Sequence, residues 1–340
     1  MKAHTAVFAV DVGYGNTKSA FRNGSDVATQ MFPSLTPVAV KNAISGHGHG
    51  LLDSRKTATI TVGKASYEVG PGVALSSAYG NAGRTLSEDY CTTSNYAALL
   101  GGSLHFANID RVDRLVLGLP VHTLNKFAAT LQDTFTGTHD FGQGRIDIEK
   151  VTVIAQPLGA LIYFSKYHRE RFDQHNAHMV VDVGYFTTDW MVANGLTMDE
   201  RRSGGAPGGA SQIYQHIAGL ISDDEGDPTD IERIDKSLRD DIPFLYYGKD
   251  IELRPYLEQS RAVISSTVKE MQNKVGRTSD LRSILLTGGG ATLYEPDIRA
   301  AFPRVQIDVL DHPCYANVRG FFSAGETFHR RDQRKQGVIA

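Results

Sequence analysis

Val10-Asp-Val-Gly-Tyr-Gly-Asn-Thr-Lys18 and Val181-Asp-Val-Gly-Tyr-Phe-Thr-Thr-Asp189 are near-copies of one pattern, and each runs on to an Asn-Gly pair, Asn23-Gly24 and Asn194-Gly195. Asp182 follows Asp11 by 171 residues, half of a 340-residue chain. Solenoid repeats recur at roughly 20–50 residues, so this spacing predicts two similar domains facing each other.

Each copy has the same local grammar. An apolar run (6–10; 178–181) reads as a buried strand that ends in Asp, turns through Gly-Tyr and returns as a second strand (17–21; 187–192) closed by Asn-Gly. Both copies are thus β-hairpins with polar groups at the tip. A glycine turn leaves successive backbone N–H groups uncovered, a concavity suited to phosphate oxygens. A carboxylate beside it cannot bind phosphate, so its natural partner is a metal ion or an attacking water. Lys18 adds one fixed cation.

Composition bounds the alternatives. With 41% hydrophobic and 21% charged residues the chain reads as an ordinary soluble globular protein of two domains or one large one. A net charge of −3 gives no global basic field for nucleic acid. Two cysteines, Cys91 and Cys314, are too few for a disulfide framework and fit a reducing cytoplasm. The start of the chain does not read as a signal peptide, and no apolar stretch approaches the ~20 residues that span a membrane.

Along the first half, a third strand is expected near 28–32, then an irregular, strand-containing insertion up to about residue 103. A strand at 112–120, a helix at 123–135, a strand at 146–154 and a helix at 157–167 follow, the last with Pro157 in its first turn. In the second half we expect a strand at 196–202, a helix at 210–220 opened by Ser203-Gly-Gly-Ala-Pro-Gly-Gly209, a charged helical excursion at 222–241 and one long helix at 255–275. A buried strand then empties into Thr287-Gly-Gly-Gly290, followed by a strand near 304–309 and a helix at 316–328. Hairpins alternating with crossover helices, twice over, predict an α/β fold of two lobes around a cleft.

The ordered set resembles the actin and heat-shock-chaperone ATPase superfamily, with its ribonuclease H-like fold. Asp11 to Lys18 looks like the first phosphate loop, Ala155-Gln-Pro-Leu-Gly-Ala160 the first connecting helix, Asp182 to Asp189 the second phosphate loop, Thr287 to Ala291 the adenosine loop and Ala316 to Ala324 the second connecting helix. Within it the chain resembles most the ParM/StbA-type actin-like proteins of plasmid segregation, through Gly118-Leu-Pro120 before a helix with Phe127 and through the second phosphate loop. The protein D branch of PRTRC-type plasmid systems is similar in the same way. By that resemblance, residues 1–165 plus 313–340 form the first lobe, with an insertion at 36–90, and 166–312 the second, with an insertion at 222–255.

The resemblance implies roles. Gly13, Tyr14, Gly15, Asn16 and Thr17 present amides to the β- and γ-phosphates of ATP, or of GTP in its place, with Lys18 compensating charge; Gly184, Tyr185, Phe186 and Thr187 do so from the other copy. Asp11 holds Mg²⁺ through its waters, and Asp182 and Gln156 orient the attacking water. Gly288, Gly289 and Gly290 let the nucleoside lie against backbone, and Arg233 and Lys236 approach it from their own helix. Implied too are ATP hydrolysis coupled to self-association into filaments, a DNA-bound adaptor protein, a cytoplasmic setting, and neither direct sequence-specific DNA contact nor a membrane. A small-molecule kinase of the same superfamily, or a nucleotide-binding regulator without turnover, is the alternative.

Other motifs lead nowhere. A P-loop requires Gly-x-x-x-x-Gly-Lys-Ser/Thr, but Lys18-Ser19 lies between two strands; a dinucleotide fingerprint requires a third glycine, and Gly13-Tyr-Gly15 is followed by Lys18. His47-Gly-His49 reads as a solvated loop without a third ligand, and the basic tail at 329–335 as a frayed, solvated terminus.

Overall fold

The computed structural model describes residues 3–39, 56–74 and 87–337. His47, His49 and much of the 36–90 insertion lie outside the described residues. Two compact units emerge: one of Met1–Leu117, Asn125–Val153 and Ala324–Ala340, the other of Gly118–Leu124 and Ile154–Ser323.

In the first unit, β1 (Ala3–Val12), β2 (Asn16–Asn23) and β3 (Asp26–Pro33) form an antiparallel meander, and β6 (Ile109–Leu119) joins β1 in parallel. With β8 (Arg145–Ala155) and β7 (Gly137–Asp140) the sheet order is β3-β2-β1-β6-β8-β7. A separate hairpin, β4 (Ala58–Val62) with β5 (Ala65–Val69), lies in the insertion. In the second unit β9 (Ala177–Val183), β10 (Thr187–Asn194), β11 (Thr197–Pro207), β14 (Leu281–Thr287) and β15 (Ile307–Val309) give the order β11-β10-β9-β14-β15. The two five-strand runs share one plan, hairpin strands followed by crossover strands. The 171-residue repeat is therefore the visible part of a repeat of whole sheets.

The helices repeat as well. After β6 and β8 come α2 (Val121–Phe135) and α3 (Gln156–Tyr167); after β14 and β15 come α8 (Ala291–Ala301) and α9 (Pro313–Lys335). The central strands of the second unit are buried on both faces, which explains their unbroken apolar run. Met179, Val181, Trp190 and Leu286 pack against α4 (Ala210–Glu225), α7 (Ser265–Val275) and α8, while Val180, Met191 and Leu285 pack against α3 and the start of α9. Side chains alternate along a strand, so Asp182 and Asp189 continue the second of these faces beyond the core.

Three expectations fail for identifiable reasons. The helix expected over 255–275 is broken into α6 (Arg254–Ser260), a 3₁₀ turn at Arg261–Ile264, and α7. Ser260 Oγ donates to the Tyr256 carbonyl at 2.7 Å, competing with the helix's own bond, as serine does where helices bend. The irregular stretch expected up to residue 103 contains α1 (Ser94–Phe106), whose residues 98–104 are all buried, so no one-sided stripe marks it. The basic tail is not frayed: 329–335 continue α9, where Asp332 accepts from Lys150 at 2.7 Å and from Arg114, whose guanidinium lies over Phe328. The charged excursion at 222–241 divides into the end of α4 and α5 (Ile231–Asp240), ahead of a small hairpin, β12 (Phe244–Tyr246) with β13 (Lys249–Ile251).

Candidate functional site

In the first unit Asp11 and Lys18 are cross-strand partners on β1 and β2, with Lys18 Nζ 3.3 Å from Asp11 Oδ2. Asp11 is buried, so a facing cation offsets much of the cost of holding its charge there. Gly13, Tyr14 and Gly15 make the turn between them. Ser34, which follows the last residue of β3, donates its hydroxyl to the Gly13 carbonyl at 2.6 Å and its N–H to the Gly15 carbonyl at 3.0 Å. Two turn oxygens that would repel an anion are thereby engaged. Thr17, fully buried, bonds Ser34 through its hydroxyl at 2.8 Å and lies between β1 and β3 in the ladder, so it braces the turn. Tyr14 stacks on Tyr90 and donates to the Ser87 carbonyl, and Asn16 opens β2.

The second hairpin solves the same problem differently. The carbonyls of Gly184, Tyr185 and Phe186 accept N–H bonds of 2.8–3.1 Å from residues 208–211, where α4 begins. Gly208, Gly209 and the first residues of α4 thus dock that helix on the turn, while 203–207, expected to open it, extend β11. Tyr185 also donates to the buried Glu232 of α5 at 2.6 Å, and Thr188 to the Gly208 carbonyl. Thr187 donates to Asp189 at 3.1 Å.

The residue opposite Asp182 is Asp189, where the first copy has Lys18 opposite Asp11. Like charges directly across a ladder repel, so each carboxylate needs donors of its own. Asp189 accepts from the Val121 N–H at 3.0 Å at the start of α2, and His122 Nδ1 lies 3.4 Å from the same oxygen. Only a glycine at 205 leaves room for this pair, since a Cβ there would come within 2.3 Å of Asp189 Oδ1. Asp182 accepts from Asn317 Nδ2 of α9 at 2.7 Å. Neither His122 nor Asn317 was found by sequence reading. No local pattern singles out Asn317, since Arg319 lies two residues on in the same stretch before Phe321-Phe322.

Gln156 opens α3, and its Cγ stands 3.1 Å from where a Cβ on Gly118 would be. Gly288 has φ +88°, and a Cβ there would fall 2.5 Å from Asp182 Oδ1. Gly290 donates its N–H to the Val183 carbonyl, while Gly289 is exposed and has open space for a side chain. Two of the three glycines therefore serve packing against the hairpin. Arg233 lies over Phe244 and donates to the Leu245 carbonyl, and Lys236 is exposed on the same helix.

Among the described residues no group of three or more His, Cys, Asp or Glu could cage a metal ion. One buried carboxylate beside a turn of amides suits Mg²⁺, which usually keeps several waters and shares its remaining positions with phosphate oxygens. No described helix is long and apolar enough to cross a membrane.

The family profile "Actin like proteins N terminal domain" matches residues 9–159, and "Archaeal actin homologue MreB-like, C-terminal" matches 180–300. No curated protein matches the chain in sequence. Among solved structures, the archaeal actin homolog Ta0583 is 19% identical, with a TM-score of 0.75 over 95% of this chain and 99% of that one; it has also been solved in complex with ADP. A ParM from Clostridium botulinum, solved as a 15-stranded filament, is 19% identical with a TM-score of 0.75, covering 96% and 100%. The actin-like protein Alp7A is 13% identical with a TM-score of 0.74, covering 98% and 99%.

Proposed function

The chain belongs to the actin-like proteins, and from that premise we propose that it binds and hydrolyses ATP with Mg²⁺, assembles into filaments in the nucleotide-bound state, and moves or positions plasmid DNA in the cytoplasm through an adaptor protein. The observation that carries this reading is the shared plan of the two hairpins: a buried Asp at the end of the first strand, then a glycine turn whose carbonyls are already engaged. With those oxygens engaged the turns offer an anion less repulsion, which favours phosphate meeting their remaining amides.

Within that reading the turn amides from Gly13 to Asn16 and from Tyr185 to Thr187 bind phosphate oxygens, Thr17 and Gly184, whose N–H goes to the Thr187 carbonyl at 2.9 Å, shape the turns, Lys18 neutralises charge, and Asp11 takes waters of the metal. Bound there, Mg²⁺ would neutralise charge developing on the phosphates. Asp182 orients the attacking water and accepts its proton. Gln156, which has no useful basicity, positions that water. The relatives' filaments and ADP complex support assembly and nucleotide binding here. The lobes are taken as the two compact units, with α3 and the start of α9 packed on the second sheet, in place of the bounds 1–165 with 313–340 and 166–312. The purified protein is tested by sedimentation and light scattering with ATP, GTP, ADP or no nucleotide, beside phosphate release. A pelletable species with triphosphate, and its loss as phosphate appears, is expected; no pellet with any nucleotide at high protein concentration overturns the filament.

A further inference from the structure

Asn317 is a polar residue on the face of α9 that packs against the second sheet, and it is only 4% exposed. Its neighbours Ala316 and Val318 are fully buried. An amide here costs stability unless it is bonded, and its Nδ2 is bonded to Asp182 Oδ2 at 2.7 Å, 135 residues away in sequence. A carboxylate accepts only from the nitrogen end of an amide, so this bond fixes which way the side chain points. Asn317 Oδ1 is then left facing the interior, and it has no hydrogen-bond partner among the described residues. Buried polar atoms are nearly always paired, so an orphan beside a carboxylate calls for a donor the chain does not supply.

The backbone around it is built for rigidity. Gly320, one turn beyond, meets Gly159 of α3 so closely that a Cβ on Gly320 would stand 1.7 Å from the Gly159 carbonyl oxygen. A Cβ on Gly159 would stand 2.6 Å from the carbonyl of Asn317 itself. This crossing fixes Asn317 relative to the helix that Gln156 opens. Asp182 is held from the other side by Gly288, and the titratable groups next along the face are Asp189 and His122.

We propose that Asn317 is a positioning residue for hydrolysis: its Nδ2 holds the Asp182 carboxylate in one orientation, and its Oδ1 accepts from a water that also donates to that carboxylate. The assignment rests on the reading of Asp182 given above. The amide neither gains nor loses a proton; it keeps Asp182 ionised and aimed until that carboxylate takes up the proton the water loses.

Two substitutions test it. Asn317→Leu keeps the volume and removes both polar atoms. Asn317→Asp keeps the shape and, when the introduced carboxyl and that of Asp182 share one proton, restores an O–H donor to Asp182. Phosphate release by N317L is expected to fall at least tenfold, with affinity for a non-hydrolysable ATP analogue within threefold of the parent. N317D should fall similarly at alkaline pH and recover to within threefold of the parent near pH 6, which a purely structural defect would not do. Turnover by N317L within threefold of the parent, or N317D as impaired as N317L near pH 6, overturns the proposal. Asp182→Asn run beside them tests the reading beneath it. Independently of turnover, the Asp182 carboxyl followed by ¹³C NMR should titrate higher in N317L than in the parent, because a donor that favours the ionised form is gone. An unchanged titration overturns the positioning role even if the protein hydrolyses nothing.

Discussion

The two hairpins share a register and differ in charge. Asp11 faces Lys18, and Asp182 faces Asp189, at equivalent positions of equivalent ladders. In the first copy the carboxylate is neutralised inside the hairpin. In the second the carboxylates are held by uncharged donors from elsewhere: the start of α2 reaches Asp189, and α9 reaches Asp182. The hairpin with its own cation is self-contained, whereas the one without it is tied to two helices distant in sequence. An aspartate where the first copy has lysine thus goes with long-range contacts from two other helices.

The comparison can be broken hardest at the carboxylates. Asp182→Ala should lower phosphate release by at least about 100-fold, the scale on which a positioned acid–base group contributes, while assembly with ATP survives. Loss of both would mean that Asp182 serves the fold first. Gly320→Ala drives a methyl into the Gly159 carbonyl at the crossing that fixes α9, and should cost about 3 kcal/mol, the upper end of ordinary overpacking, as read from urea unfolding. Lys18→Met strips the first copy of its internal cation. It should weaken ATP-analogue binding roughly tenfold and also lower Tm, because Asp11 is left with a buried charge that no facing cation offsets.

Asp189→Asn is the milder counterpart in the second copy. It keeps an acceptor for the Val121 N–H but loses the charge, and about 1 kcal/mol of stability is the expected cost by denaturant titration. The smallest effect lies at the base of the hairpins, where Val7 in the first copy corresponds to His178 in the second. His178 Nε2 accepts from the Asp173 N–H at 3.0 Å, so the proton sits on Nδ1 and points at Ser283 Oγ, 2.9 Å away. Burial lowers its pKa below the usual 6.5. The unfolded chain therefore takes up the proton first. Stability contributed by neutral His178 is present above pH 6.5 and is lost as pH falls through 6.5 toward the folded value. Tm measured from about pH 8 to 5 should fall in that window, and His178→Gln, which cannot titrate, should flatten the fall.

Much of the fold was legible because it depended on local pattern. Both hairpins, the strand at 109–119 and the helices after Pro120 and Ala155 declare themselves by apolar runs, turn residues and a proline in the first helical turn. The repeat itself runs further than its constant spacing reveals. Thr17 pins Ser34, just past Pro33, and Thr188 pins Gly208, just past Pro207. The offset there has grown to 174, because β11 contains a register irregularity opposite Trp190 and Val192. A fixed-offset comparison loses the match at that bulge. Helix α1 was invisible for the opposite reason: it is apolar around most of its circumference.

By itself the sequence determined the two-copy plan, the family and the Asp at the end of each hairpin's first strand, since these rest on spacing and on residue types that only certain turns accept. Only the tertiary structure decided what faces those carboxylates. Lys18 reaches Asp11 because strand register puts them opposite each other. His122, Asn317 and the glycines that make room for them matter through contacts across tens to more than a hundred residues, and no local periodicity encodes which distant side chain completes a buried charge.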